Sequence, residues 1–293
     1  MYDNRGRPTL HVAFEGVVTE FRYHPQSGQL SQQRFFDNLT RYANGQGTAQ
    51  EVWSFTSDAF GRLVRVEQTT DDYDHTGIRV SVLHEVDSNG DGAWDQRTRT
   101  DYLNDLHNHT GYSQILRETH LDATTGVVQK RIDYTLGLDE IAQTTTTYDA
   151  AGNVVSRETL VFGHDGHGSV RLLFDLAGAI AQLYVYEAYG QLAAIYNAAG
   201  QFVSANPADA RTTILHDGEP FDNHIGWGYR RARWVDPHIG RFNRLDPFFG
   251  NLWDPQSFHK YLFTHADPIN GIDPSGLEFT GSTGQLVAIG VSI

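Results

Sequence analysis

The 293-residue chain carries 36 acidic against 22 basic side chains, a formal net charge of −14, and no cysteine. That balance excludes a binder of nucleic-acid backbone, which needs a basic face, and the absence of thiols excludes disulfides and thiol catalysis. About two fifths of the residues are hydrophobic and one eighth aromatic, which excludes global disorder and is enough for a sizeable core.

From its first residues the chain repeats one short phrase: an aromatic or hydrophobic residue, usually Asp, two variable residues, Gly, one residue, then often an aliphatic. Copies begin at Tyr2-Asp3…Gly6, Asp58…Gly61, Tyr73-Asp74…Gly77 and Leu121-Asp122…Gly126. They continue at Tyr148-Asp149…Gly152, His164-Asp165…Gly168 and Phe174-Asp175…Gly178, and close with Tyr186-Glu187…Gly190, Tyr196-Asn197…Gly200 and Trp234-Val235-Asp236…Gly240. Asp at the start of a turn accepts backbone N–H bonds and Gly supplies a positive φ, so each phrase predicts a β-hairpin. Between phrases the side chains alternate, as in Leu10–Phe14 and Arg79–Leu83, and Thr144–Thr147 is a β-branched run leading into a turn. No helical period longer than a turn or two precedes residue 205. The fold class read from this pattern is all-β, an antiparallel hairpin array. The irregular spacing of its glycines marks a degenerate array rather than a strict solenoid.

The chain opens inside a repeat, which predicts a fragment whose natural start lies upstream and whose exposed sheet edge is covered by upstream repeats or a partner. No signal peptide is visible in MYDNRGRPTL, and no stretch approaches the roughly 18 apolar residues of a membrane span; residues 286–293 are apolar but too few.

Two segments suggest metal chemistry. Asp87, Asn89, Asp91 and Asp95 follow the D-x-N-x-D-G spacing of a calcium loop, with oxygen ligands at alternate positions and Gly92 at the sharp turn. The twelfth position is Thr98, where a bidentate carboxylate belongs, and a polar hairpin tip accounts for the same residues without metal. His164 with His167, and His107 with His109, are the closest histidine pairs. Neither has a helical frame or a second pair at suitable spacing, and a glycine-rich turn accounts for the first.

Near residue 205 the character shifts. A loop with a short helical turn at 205–210 leads into a region rich in Trp, Arg, His and Asp-Pro. The dense basic run Arg230, Arg231, Arg233 suits local salt bridges or a site. Residues 226–277 read Gly226-Trp227-Gly228-Tyr229-Arg230-Arg231-Ala232-Arg233-Trp234, then Asp236-Pro237…Gly240-Arg241-Phe242, Asp246-Pro247, Tyr261, Asp267-Pro268-Ile269-Asn270 and Asp273-Pro274-Ser275-Gly276-Leu277. This order resembles the Rhs repeat-associated core domain, and the upstream phrases resemble YD repeats, so the resemblance extends over nearly the whole chain.

The resemblance implies a β-cocoon or spiral of hairpins (1–204), a less regular core segment with little helix that closes one end (205–277), and the start of a variable tail (278–293). It further implies a secreted or cell-surface toxin system. The chain's own C-terminal cargo, the upstream repeats and a delivery partner would be what it contacts; the acidic balance speaks against nucleic acid, and the calcium loop is the one cofactor candidate in the sequence. In several members of the family the core cuts its own chain after Asp-Pro-x-Gly-Leu. Carried over by position, the cut falls between Leu277 and Glu278, and Asp246, Asp273 and Arg233 form the site. An insertion around Phe249–Phe258 lengthens the interval between the two aspartates. Asp-Pro is also a favoured turn opening, the reading given to Asp236, Asp254 and Asp267. The alternative from another class is a calcium- or carbohydrate-binding adhesin that uses exposed Tyr and Trp.

Overall fold

The computed structural model describes residues 10–12, 18–23, 30–36, 51–57, 63–89, 91–137, 139–246, 249–250, 252–277 and 280–281. The turn phrases at Tyr2 and Asp58, Gly90 of the calcium-type loop, Glu278 and the apolar stretch 286–293 lie outside them. The chain forms two compact units, residues 1–102 with 119–129, and residues 103–118 with 130–293.

Fifteen strands pair in chain order in one sheet, and every pairing resolved between them is antiparallel. In the first unit lie β1 (Leu10–Val12), β2 (Val18–Tyr23), β3 (Leu30–Phe36), β4 (Glu51–Ser57), β5 (Leu63–Tyr73), β6 (Arg79–Asp87), most of β7 (Gln96–Asp105) and the end of β8 (Gln114–Asp122). Val66, Val82 and Val86 are buried there, beside a buried ion pair in which the Arg79 guanidinium lies 2.6 Å from Asp71.

The second unit holds most of β9 (Val128–Leu136), with β10 (Glu140–Tyr148), β11 (Val154–His164), β12 (Val170–Phe174), β13 (Ile180–Tyr186), β14 (Leu192–Asn197) and β15 (Phe202–Ser204). Val170, Leu173 and Ile195 are fully enclosed in its core. The Thr144–Thr147 run lies in β10, as the β-branched composition predicts.

The hairpin turns follow one design. At the β10–β11 turn, Asp149 Oδ1 accepts the N–H groups of Ala151 (2.9 Å) and Asn153 (2.8 Å), and Gly152 sits at φ +84°. Asp149 N–H reaches Asn153 O while Gly152 N–H returns to Asp149 O, and the strand register shifts by one residue at Tyr148. This is a type I turn closed by a left-handed glycine with a bulge. Asp74, Asp165 and Asp175 repeat the two side-chain bonds, and Asn197 replaces the carboxylate with an amide oxygen.

After Ser204 the described residues hold a four-stranded sheet, β16 (Phe221–Asp222), β17 (Trp227–Arg230), β18 (Arg233–Asp236) and β19 (Arg241–Phe242), then a short pair, β20 (Gly271–Ile272) and β21 (Thr280–Gly281). Single 3-10 turns occur at Pro207–Asp209, His216–Gly218, Pro255–Phe258 and Thr264–Ala266, and no α-helix occurs among the described residues. Val235, Phe242 and Phe263 form a buried cluster with Tyr189 against it. No helix of the described residues is long and apolar enough to cross a membrane.

Candidate functional site

The β17–β18 hairpin positions three guanidinium groups. Its turn places Arg231 at φ +51°, so Arg230 and Arg231, adjacent in sequence, leave the backbone in different directions. Gly228 makes room for the Arg230 side chain, because a Cβ there would sit 3.0 Å from Arg230 Nη1. Arg230, Arg231 and Arg233 are buried at 3%, 8% and 2% exposure, so each needs an anionic or carbonyl partner. Arg230 pairs with Asp217 at 3.0 Å. Arg231 pairs with Glu219 at 2.5 Å, donates to Ser113 O and Pro274 O, and stacks over Tyr112. Burial pushes the Tyr112 phenol up to about 12, and the Glu219 charge adds to the shift.

Arg233 brings together the two aspartates singled out in the sequence. Its Nη2 lies 2.9 Å from Asp246 Oδ2 and 3.4 Å from Asp273 Oδ2, so the two carboxylate oxygens are no farther apart than the sum of those distances. Its Nε donates to Gly276 O, its Nη1 reaches Lys260 O at 3.4 Å, and its guanidinium covers the Phe242 ring. Burial lowers the Arg233 pKa, and the charges of Asp246 and Asp273 oppose that shift.

The pentapeptide Asp273–Leu277 is docked on this hairpin. Ala232 N–H donates to Ser275 O, and Gly276 (φ +71°) packs so closely that a Cβ would overlap Arg230 O and sit 2.9 Å from Arg233 N. Asp273 Oδ1 accepts the Leu277 N–H (3.1 Å) and the Ser275 hydroxyl (3.2 Å), which leaves Oδ2 facing Arg233. Asp273 is buried, the Asp246 side chain is 16% exposed, and Leu277 is at the surface. Beyond Leu277 the chain returns to pair Thr280 with Ile272.

The loop that follows Asp246 is anchored at both ends. Asp246 N–H bonds Lys260 O at 2.8 Å and Phe242 N–H bonds Tyr261 O at 3.0 Å, so the loop is closed at its base. Its tip exposes Phe249, Leu252 and Trp253. Asp236, Asp254 and Asp267 each accept N–H bonds within their own turns. Arg231 and Glu219 were missed as individual site residues, although the basic run signalled the former.

The calcium-type loop belongs to the first unit. Asp87 Oδ2 accepts Gly92 N–H (2.8 Å), its Oδ1 accepts Asn89 and Asp91 N–H, Asn89 Oδ1 accepts Asp91 N–H, and Asp91 Oδ1 accepts Ala93 N–H. Asp95 turns to Ser88, accepting its N–H and hydroxyl. Of the histidine pairs, His107 and His109 are exposed, and His164 and His167 part company. His164 groups with Asp139 and Glu140, His167 with His216 and Asp217.

No family model matches the chain. Over 112 residues it is 32% identical to salivary gland surface protein 1 of Aedes aegypti, a match covering 38% of this chain and 3% of that protein. Over 134 residues it is 27% identical to the tRNA3(Ser)-specific nuclease WapA of Bacillus spizizenii, covering 44% of this chain and 5% of that protein. Among solved structures, a crystal structure of TcdB2-TccC3-TEV is similar at a TM-score of 0.39 and 14% identity, over 94% of this chain and 19% of that one. The Photorhabdus luminescens Tc holotoxin pore is similar at a TM-score of 0.34 and 13% identity, over 96% and 19%. The chain thus spans a small fraction of each of these proteins.

Proposed function

We propose that the chain is a shell segment of a secreted or cell-surface Rhs-type toxin protein, and that its core cuts the polypeptide between Leu277 and Glu278. The hairpin array of residues 1–204 forms the wall, residues 205–277 the closing core, and the polypeptide from residue 278 onward the enclosed cargo. Matches to short stretches of very long proteins, one of them named a surface protein, favour this setting.

The observation that carries the cleavage reading is the convergence of Asp246, Asp273 and the Gly276 carbonyl on one buried guanidinium, one residue before the bond to be cut. Asp246, the more exposed carboxylate, takes a proton from water as its oxygen attacks the Leu277 carbonyl carbon. Asp273, tied to the Leu277 N–H, fixes the pentapeptide, and Arg233 stabilises the negative charge that develops. The C–N bond breaks, the proton that Asp246 took from water passes to the Glu278 nitrogen, and Leu277 is left as a free carboxylate. Modest groups suffice because the substrate is tethered and pre-oriented.

Intact-mass measurement of the purified chain, repeated over long incubation, tests this. The expected result is loss of residues 278–293 from the parent, with Asp273→Asn and Asp246→Asn remaining whole at unchanged strand content by circular dichroism. A parent mass matching all 293 residues throughout overturns the protease reading.

A further inference from the structure

We propose that His167, His216 and Asp217 form a transition-metal site that binds one Zn²⁺ per chain, independently of the cleavage chemistry. His167 sits in the Asp165–Ser169 turn between β11 and β12, and His216 and Asp217 in the 3-10 turn His216–Gly218. The backbone locks these turns together before any ligand is considered. Val170 N–H bonds Leu215 O at 3.0 Å, Asp217 N–H bonds Ser169 Oγ at 3.0 Å, and a Cβ at Gly218 would sit 3.0 Å from Gly168 O. Asp217 is held at φ +61°, a conformation that a non-glycine residue keeps only when its surroundings impose it.

Three ligand atoms meet there. His167 Nδ1 lies 2.8 Å and His216 Nδ1 3.0 Å from the same Asp217 Oδ1, and the Asp217 side chain is 2% exposed. His167 and His216 both pair with Asp217 by distance, but none of the three atoms makes a hydrogen bond of good angle. Buried polar atoms left unsatisfied in one spot call for an explanation. All three atoms lie within 4.8 Å of one another, close enough to share one ion. A tetrahedral ion with bonds of about 2.0–2.1 Å sets its ligand atoms about 3.3 Å apart, so a slight rotation of each imidazole admits it.

The surroundings suit a metal ligand set. Asp217 Oδ2 is held by Arg230 at 3.0 Å, which leaves Oδ1 as a single oriented donor. Arg230 in turn lies within electrostatic reach of Glu219, which offsets part of its charge. Two imidazoles and one carboxylate, with no thiolate, match Zn²⁺, Ni²⁺ or Cu²⁺ and leave a fourth position for water; they do not suit the all-oxygen preference of Ca²⁺ or Mg²⁺.

The test uses the untagged Asp273→Asn chain, so that failure of cleavage and failure of metal binding are separate results. After chelation and dialysis, Zn²⁺ is titrated calorimetrically, and Co²⁺ is added as a coloured stand-in. The expected outcome is one equivalent of Zn²⁺, visible Co²⁺ bands that Zn²⁺ abolishes, and a rise in thermal midpoint. His167→Asn and His216→Asn, each checked for retained strand content, should weaken binding by at least about 100-fold, whereas Asp139→Asn should leave it unchanged. No saturable heat with millimolar Zn²⁺, or equal affinity in both histidine variants, overturns the site and leaves a directly bonded His–Asp–His network.

Discussion

Replacing Gly276 with Ala tests the docked pentapeptide more directly than removing a carboxylate does. Gly276 lies at φ +71°, where an L-residue pays about 1–2 kcal/mol. Its new Cβ would overlap Arg230 O and sit 2.9 Å from Arg233 N. Both are backbone atoms of residues almost wholly buried at the β17–β18 turn, so neither yields without disturbing the hairpin, and overpacking of this kind costs about 1–3 kcal/mol. Together the penalties come to about 2–5 kcal/mol against the docked state, or roughly 30- to 4000-fold in its population. The burden falls on one peripheral segment, so Gly276→Ala should undock residues 273–277 while the sheet core persists. Hydrogen exchange followed by mass spectrometry should show faster exchange at the Leu277 amide, now bonded to Asp273, with strand amides unchanged. The proposed cleavage after Leu277 should slow by a comparable factor. Gly152→Ala is the control, since it shares the positive φ but meets only open space. Exchange of the Leu277 amide at the parent rate in Gly276→Ala would show that the pentapeptide is not held by this close approach.

Glu140 is buried, and burial pushes its carboxyl well above the ordinary value of 4.5, with the neighbouring Asp139 adding to the shift. The folded chain therefore holds this proton more tightly than the unfolded one. Its contribution is complete below about pH 4.5 and is lost as pH rises through the raised value, with a slope of at most about 1.4 kcal/mol per unit. Glu140→Gln should flatten that slope and raise the thermal midpoint at about pH 8; parallel pH profiles would rule this out. Leu173→Ala, at a fully enclosed core position, should cost about 2–5 kcal/mol in denaturant titration, and a loss under 1 kcal/mol would mean the site collapses freely. If Asp87, Asn89, Asp91 and Asp95 hold calcium, millimolar Ca²⁺ should raise the thermal midpoint and Asp91→Asn should remove the rise; a calorimetric blank would assign the loop wholly to its own hydrogen bonds.

The hairpin array was legible because its information is local. Asp, two spacers and Gly are enough to specify a bulged type I turn, and alternation on either side sets the strands. The Asp246–Asp273–Arg233 convergence was legible only through resemblance. Nothing in the local sequence says that Lys260 O meets the Asp246 amide or that Gly276 lies on Arg230 O. The His167–His216–Asp217 cluster was not legible at all. His164 and His167 are close in sequence but belong to different clusters, and the partner of His167 comes from a turn whose docking rests on the Leu215–Val170 backbone bond. The two-unit division was equally hidden, because the repeat phrases continue across residues 103–130 without a change of character.

The arginines of β17–β18 explain how an acidic chain assembles this region. In a protein of net charge −14, three buried cations on one hairpin are answered by acids from three segments: Asp217 with Glu219, Asp246, and Asp273. Buried ion pairs contribute little net stability relative to apolar packing, but removing one partner is expensive, so their effect here is to fix which segments meet. Arg233 contacts four acceptors at once: two carboxylates, Gly276 O and Lys260 O. A planar fork with five donors can serve them all, whereas a lysine ammonium has three donors and a single point of charge. Arg233→Lys keeps the charge yet leaves at least one of these groups unmet, so it separates what the cation does for folding from what the fork does for the pentapeptide.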